Sequence, residues 1–308
     1  MPVDLSFVLT VYNKQAYLAD TIASLRDQRG DFTREYLFVD DCSTDDSITV
    51  IEKQTQGMAN VTIIRNTDNM GPSVRLNQGA RHARGDYLYL LDADDIIPTN
   101  AAEKMLALLK KERADIIYGQ CKKCHGRGEH LLGATIQDDP PYTVSDRPLE
   151  YILKGGFVRM GLMTTKSLYA ASGGCDERIF IQDESLPIRL CAKANMLIDY
   201  SGIVLYWIAQ GEGKASANEV QLHHDGFLAY RHAVDEIRPM PKSIKNRLMM
   251  KMVSVTWKSA RIVYRHPYFT TYFTDYLISK IRKTATPQAL ERANLFFSRV
   301  SGIRRLDS

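Results

Sequence analysis

The sequence predicts an α/β protein, a mostly parallel sheet flanked by helices, continued by a basic and largely helical C-terminal extension. Three observations carry that expectation. Short apolar runs suited to buried strands alternate with helix-spaced segments over residues 5–119, the rhythm of parallel sheets covered on both faces. Two of those runs end in clustered aspartates, at the strand ends where such sheets bind ligands. Charge is also segregated: residues 241–308 hold 14 Lys/Arg against 3 Asp/Glu, a net of +11, which leaves −7 for the first 240 residues of a chain whose balance is +4.

Leu5 to Thr10 (LSFVLT) is a continuous apolar run suited to a buried strand. Asn13 is placed to cap the helix that follows, where Leu18, Ile22 and Leu25 recur at helical spacing. Tyr36 to Val39 forms a second strand and runs into Asp40 and Asp41; Ser43 to Asp46 then opens a helix with Ile48 and Ile51 facing inward. Val61 to Arg65 is a third strand, Ser73 to Ala83 a helix, and Tyr87 to Leu91 a fourth strand. Pro98, Thr99 and Asn100 start a helix closed by Lys110, Lys111 and Arg113, cations that the helix dipole favours at that end. Ala114 to Gly119 is strand-like again. Beyond residue 120 the alternation ends. Residues 121–147 read as loop or hairpin, with short helical pieces at Pro148–Leu153 and Leu186–Ala194. A gap rich in Gly, Lys and Ser, from Gln210 to Asn218, precedes the basic C-terminus. The expected organisation is therefore residues 1–220 as the sheet domain and 221–308 as a helical region.

Hydrophobic content of 44% and charged content of 25% are those of an ordinary soluble globular protein. The N-terminus lacks a basic stretch followed by a long apolar run, and no segment is apolar enough to expect a transmembrane helix. Five scattered cysteines fit reduced thiols better than a disulfide frame. A cytoplasmic protein is expected, with peripheral contact at the inner face of the cell membrane left open by the basic tail.

The segment Asp92-Ala93-Asp94-Asp95 offers closely spaced oxygens for a hard divalent cation. Mg²⁺ and Mn²⁺ take one or two protein carboxylates and complete their shells with water and substrate phosphates. A calcium loop needs more oxygens and a glycine at the sixth position, which Ile96-Ile97-Pro98 does not supply. An N-cap cluster for the helix after Pro98 is the plainer alternative. The second acidic strand end, Asp40-Asp41 in FVDDCSTDDS, favours a ligand. A carboxylate there can accept a hydrogen bond from the imide N–H of uracil or from a ribose hydroxyl. Two such ends on one crevice suit a nucleotide held at base and sugar, with metal at its diphosphate.

The stretches LTVYNKQAYLADTIASL, LFVDDCSTDDS, NMGPSVRLNQGARHARGDYLYLLDADD and GGCDERIFIQDESLPIRL occur in that order. Over residues 4–200 the chain thereby resembles the bacterial-type family 2 glycosyltransferases, with their GT-A fold, a Rossmann-like mostly parallel sheet flanked by helices. The resemblance implies an inverting, metal-dependent transfer of a hexosyl or N-acetylhexosaminyl group from a nucleotide donor, most often a UDP-sugar. The acceptor would be a hydroxyl of a bacterial surface glycan or a lipid-linked precursor, such as one of lipopolysaccharide. Thr10, Val11 and Tyr12 would cradle the base and Asp41 would read uracil. Asn69, Gly71, Arg75 and Asn77 would lie along the nucleotide and donor sugar. In the DxD motif, Asp92 would meet the ribose, Ala93 would belong with it to the nucleotide- and donor-binding set, and Asp94 would be the main ligand of Mn²⁺ or Mg²⁺. Registering the last stretch on Leu186, Arg189 and Leu190 puts Asp183 at the catalytic base. Gln182 then stands where the family often has Glu, and the adjacent Glu184 is the alternative base. Related enzymes often close a basic or His-containing loop over the diphosphate, which makes His223 or His224 a further metal ligand and Lys214 and Ser216 parts of a lid. Two adjacent histidines at a helix start also read as plain surface residues.

The chemistry requires a carboxylate within hydrogen-bond reach of the acceptor hydroxyl, opposite the leaving diphosphate. Sugar nucleotidyltransferases open with a Gly-rich loop after the first strand, and LTVYNKQAYL has no glycine; dinucleotide oxidoreductases fail for want of GxGxxG. A catalytically inactive nucleotide-sugar-binding module remains open at this point. Cys121-Lys-Lys-Cys124-His125 reads as an ordinary hairpin, since no second CxxC pair completes a zinc site. The tail mixes Lys242, Lys245, Arg247, Lys251 and Lys258 with Met249, Met252, Val255 and Trp257, a composition that suits either an anionic membrane surface or a helical subdomain packed on the core. No nucleic-acid module accompanies the charge, and homo-oligomerisation is left open.

Overall fold

The computed structural model describes residues 2–125, 128–137, 139–155, 160–209 and 218–306. The first part keeps the expected alternation: β1 (Leu5–Val11), α1 (Leu18–Arg26), β2 (Arg34–Asp40), α2 (Ser47–Gln54), β3 (Val61–Arg65), α3 (Pro72–His82) and β4 (Tyr87–Asp92). A middle section follows with β5 (Asp95–Ile96), α4 (Ala101–Glu112), β6 (Ile116–His125), β7 (Tyr142–Ser145), α5 (Pro148–Lys154), β8 (Leu162–Thr165), α6 (Lys166–Ser172), α7 (Gln182–Cys191) and β9 (Leu197–Ala209). The C-terminal helices are α8 (Glu219–Glu236), α9 (Lys242–Val263), α10 (Thr271–Arg282) and α11 (Pro287–Arg299).

The strands form one sheet in the order β3-β2-β1-β4-β8-β6-β9-β5, with β7 paired to β9. β1 to β4 pair in parallel, but β8 runs antiparallel to both β4 and β6, and β5 and β7 run antiparallel to β9. The sheet is thus parallel over β1 to β4 and again between β6 and β9, with the short strands β5, β7 and β8 added antiparallel. The missed strands carry weak signals: β8 is four residues long, and β9 passes through Asp199, Tyr200, Ser201 and Gly202, where its register with β6 shifts. The Cys121–His125 stretch is the end of β6 and not a hairpin.

Register sets the site. Thr10 of β1 lies opposite Asp92 of β4, and Val11 lies opposite Asp40 of β2. The carboxyl ends of three adjacent strands are therefore flush, at the end of the sheet where such folds bind ligands. Asn13 does not cap α1. It adopts φ +51°, and its Oδ1 accepts the Thr44 N–H at 2.8 Å, tying the loop after β1 to the loop after β2.

Alternate residues of β1 feed two hydrophobic layers. Leu5, Phe7 and Leu9 pack with α1 and α4 on one face, and the Phe7 ring lies 5.3 Å from Tyr36 and 5.6 Å from Tyr89. Each such fully buried side chain contributes about 1.5–3 kcal/mol. On the other face Val8, Leu37 and Leu88 join a cluster that continues into Phe227, Trp257 and Phe296. Helix α3 lies close on this face: a Cβ at Gly79 would come within 2.4 Å of Val8 Cγ1. The boundary near residue 220 is a change of architecture and not of core.

Candidate active site

Asp41 is the most constrained of the acids at the strand ends. It is 3% exposed. Its oxygens accept the backbone N–H groups of Met70 and Gly71, both at 2.8 Å, and the Arg75 Nε at 2.7 Å. Gly71 holds φ +91°, and a Cβ there would meet the Phe180 ring at 2.8 Å, so only glycine lets the chain turn into α3 at this spot. Arg75 also donates to Gln78 and to the Asp68 carbonyl, and it is buried. Asn69 Nδ2 donates to the Asp41 carbonyl at 3.1 Å, and the Asp41 N–H donates to the Val11 carbonyl at 2.8 Å. Val11, Asp41, Asn69, Gly71 and Arg75 are therefore one bonded unit. Tyr12 stands exposed beside it.

The second strand end gathers four ionisable side chains, Lys14, Asp92, Asp94 and Asp95. Lys14 Nζ lies 2.7 Å from Asp94 Oδ2. Burial opposes the lysine charge, but Asp94, and after it Asp92 and Asp95, outweigh burial and hold the ammonium above its usual pKa. Asp95 is pushed well above the usual carboxylate range, by burial first and then by Asp92 and Asp94, which favours its neutral form. Its Oδ2 accepts the Asp92 N–H at 3.3 Å, so it orients its neighbour. Ala93 is fully buried, and its carbonyl accepts the Thr21 hydroxyl at 3.2 Å. Thr10 Oγ1 donates to Asp92 Oδ1 at 3.3 Å. Asp94 and Asp92 offer carboxylate oxygens of the kind a hard divalent cation takes, and in this structure the Lys14 ammonium balances Asp94.

Helix α7 brings the third part. Gln182 Nε2 donates to Asp92 Oδ1 at 3.1 Å, a contact across 90 residues of sequence. Asp183 follows Gln182 in the first turn and is half-buried. Glu184 turns the other way: its Oε2 lies against Gly226 of α8, and its charge acts on Tyr230 and Lys251. Both candidate bases lie in the first turn of α7, whose Gln182 touches the DxD segment, and Glu184 is the one directed at α8. Ile181 N–H donates to Asp225 Oδ2 at 2.8 Å, which fixes the start of the helix.

Other expected site residues are placed elsewhere. Asn77 is buried, with Oδ1 accepting the Tyr169 hydroxyl and the Cys175 N–H, and Nδ2 donating to the Cys175 carbonyl and Glu177. It holds the loop before α7 in place of lining the crevice. His223 pairs with the Ser259 hydroxyl of α9 at 3.1 Å, and burial, helped by Lys258, pushes its pKa down to about 4. His224 pairs with Asp225 at 2.8 Å and packs on Phe297. These partners belong to the helical layer. Lys214 and Ser216 lie outside the described residues. Among the described residues, one grouping of acids and histidine could share an ion, Asp176, His232 and Glu236. Arg178 already supplies its cation, at 2.6 Å from Asp176 and 2.5 Å from Glu236.

Three participants escape a reading by motif. Lys14 sits inside a quoted stretch, yet its partner is 80 residues away. Gln182 looks like a lost acid and instead is a donor to one. Arg304 reaches back 235 residues to Asn69 Oδ1 at 2.5 Å, accepts a position over the Phe180 ring at 4.7 Å, and donates its N–H to Gln221 Oε1 at 2.6 Å. Only the excess of basic residues near the C-terminus hinted at such a role.

The sequence model described as "Glycosyl transferase family 2" matches residues 6–169. The poly(ribitol-phosphate) beta-glucosyltransferase of Bacillus spizizenii is 32% identical over 128 residues, 40% of this chain and 20% of that protein. The poly(ribitol-phosphate) beta-N-acetylglucosaminyltransferase TarS of Staphylococcus aureus is 24% identical over 238 residues, 75% of this chain and 40% of that protein. The chain thus spans less than half the length of these curated relatives. The crystal structure of S. aureus TarS 1–349 in complex with UDP-GlcNAc superposes with a TM-score of 0.69 at 18% identity, covering 95% of this chain and 83% of that one. The likeness extends through the C-terminal helices and establishes the shared fold.

Proposed function

The chain belongs to glycosyl transferase family 2, and from that premise we propose that it transfers a sugar from a nucleotide donor, a UDP-sugar, to a hydroxyl of a bacterial surface glycan. The observation that carries this reading is the 3.1 Å contact from Gln182 to Asp92, which brings the turn bearing Asp183 to the DxD segment. Thr10, Val11, Tyr12 and the Asp41–Arg75 unit form the base pocket, and Asp92 takes the ribose. Mn²⁺ or Mg²⁺, held by Asp94 with Asp92 beside it, would neutralise charge on the leaving diphosphate. Asp183 accepts the proton of the acceptor hydroxyl as that oxygen bonds to the anomeric carbon. The bond from that carbon to the diphosphate breaks on the opposite face, and configuration inverts. Lining up donor and acceptor supplies a further share of the rate.

The ribitol-phosphate polymers named for two relatives support a polyol-phosphate or similar surface polymer as acceptor; a lipid-linked precursor is the other form such a chain takes during assembly. Calorimetric titration with UDP, with and without Mn²⁺, tests the donor site. Asp183→Asn should bind UDP as the parent does and lose roughly 10²–10⁴-fold in turnover. Transfer at the parent rate would reject Asp183 as the base, and absence of transfer by the parent across a panel of UDP-sugars and polyol-phosphate acceptors would favour an inert binding module.

A further inference from the structure

The C-terminal helices do two different things with their apolar residues. Met252, Val255 and Trp257 of α9, which the sequence interleaves with lysines, are buried and belong to the core. From the last turn of α9 onward the pattern inverts. Ile262 and Val263 are about half exposed, Tyr268 is 62% exposed, Phe269 is 92% exposed, and Ile281 of α10 is 82% exposed. Leu277 shares the stripe of Ile281, one turn earlier on the same face of α10, and is also exposed. The turn between the helices is firmly backed: Trp257 packs against Tyr268 at 5.5 Å and Phe273 at 4.9 Å. Its apolar tips are thus presented by a rigid platform.

The charges around these tips have one sign. Between residues 261 and 283 the cations are Arg261, Arg265, Lys280, Arg282 and Lys283, all exposed, and the one acid is Asp275. Asp275 is 6% exposed and paired with Arg292. The segment therefore combines exposed apolar tips with exposed cations and has no exposed carboxylate. A second copy meeting this face through a two-fold would set like charges together, which disfavours a dimer. A soluble polyanion would use the cations and leave the apolar tips in water. An anionic bilayer answers both features, since its headgroups attract the cations and its acyl boundary receives the tips. No helix among the described residues is long and apolar enough to cross a membrane, so the contact is interfacial.

We propose that the α9–α10 turn and the exposed stripe of α10 dock on an anionic lipid surface, with Phe269 and Ile281 inserted at the headgroup boundary. This inference does not rest on the transferase reading. Sedimentation of the full chain with phosphatidylcholine vesicles, with and without phosphatidylglycerol, tests it. Binding should require the anionic lipid and weaken with salt. The double variant Phe269→Glu, Ile281→Glu should lose roughly ten- to hundred-fold in partitioning, with circular dichroism and UDP binding unchanged because both side chains are exposed. Arg265→Gln with Lys283→Gln should lower affinity and flatten the salt dependence. Equal binding to both vesicle types would overturn the proposal. So would a double variant that still binds vesicles as the parent does, or one that loses only a parent dimer seen by sedimentation velocity. Equally decisive against it would be tight binding of soluble polyphosphate with no binding to vesicles.

Discussion

The crevice and the C-terminal helices are both rich in charge, and they treat it in opposite ways. At the crevice, charges are desolvated and paired: Arg75 and Asp41 are 6% and 5% exposed at their side chains and 2.7 Å apart, and Lys14 is held at Asp94. In the helices beyond residue 241 nearly all cations face solvent, and Asp275 with Arg292 is the one buried-acid pair described there. Net charge by region, −7 against +11, does not distinguish these behaviours. Burial does, because a charge removed from water demands a partner in fixed geometry, whereas an exposed one is screened. The first arrangement preorganises a site. The second displays a field.

The sharpest way to break this contrast is to delete one charge from each region. Arg75→Met leaves Asp41 buried with only the Met70 and Gly71 N–H groups, and should cost about 3–5 kcal/mol in urea unfolding together with loss of UDP binding. Adding Asp41→Asn to that variant should cost much less than the sum of the two single changes, since the pair acts as a unit. The matched change at an exposed cation, Lys283→Met, should stay within about 0.5 kcal/mol. Comparable costs at both positions would mean that the apparent difference in burial has no energetic content.

The same division explains what the sequence discloses. Strands β1 to β4 are legible because each is a short apolar run between turn residues, and the acids at their ends mark the crevice. Asp41, Asp92 and Asp94 follow from position at the strand ends. Asp183 is reached only through the family resemblance, and its preference over Glu184 needs the packing of Glu184 on Gly226. Strands β8 and β9 are illegible because their pairing is set by partners far along the chain, not by local period. Asn77 misleads for a related reason: its place in a motif is real, but its hydrogen bonds run to residues 169–177. Long-range pairing likewise hides Lys14 and Arg304.

A smaller effect is expected at Lys14, where the region's charge balance is most easily repaired. Lys14→Met removes the ammonium from a cluster of carboxylates and should destabilise the protein by about 1–3 kcal/mol in chelator at neutral pH. Mn²⁺ should recover most of that loss by binding the folded form. The sign with pH follows from the raised lysine value. In the parent, the contribution is complete below the usual lysine pKa of 10.5 and is lost as pH rises through the higher folded value. In acid the gap between parent and variant should close as the carboxylates protonate. Unfolding curves with and without Mn²⁺ read both effects, and a deficit indifferent to the metal would argue that Lys14 serves packing alone.

Arg304 tests the contrast at its one crossing point. It belongs to the basic tail and is exposed, yet its guanidinium bonds to Asn69 beside Asp41, and its backbone N–H bonds to Gln221, which also donates to Asp225, the α8 side chain that accepts the Ile181 N–H before α7. It therefore bridges the turn bonded to Asp41 and the helix that bears Asp183. Arg304→Ala should weaken UDP binding by roughly 3- to 10-fold, the worth of one or two partly solvated hydrogen bonds, while shifting stability by no more than about 0.5 kcal/mol. Arg304→Lys keeps the charge but cannot reproduce the forked contact with the Asn69 side chain and backbone, so it should recover little of the affinity. If the lysine variant restored binding fully, the tail would act on the crevice through its field, as an exposed charge does. Failure to restore it would mean that a residue of the displayed region has been drawn into the preorganised one by geometry.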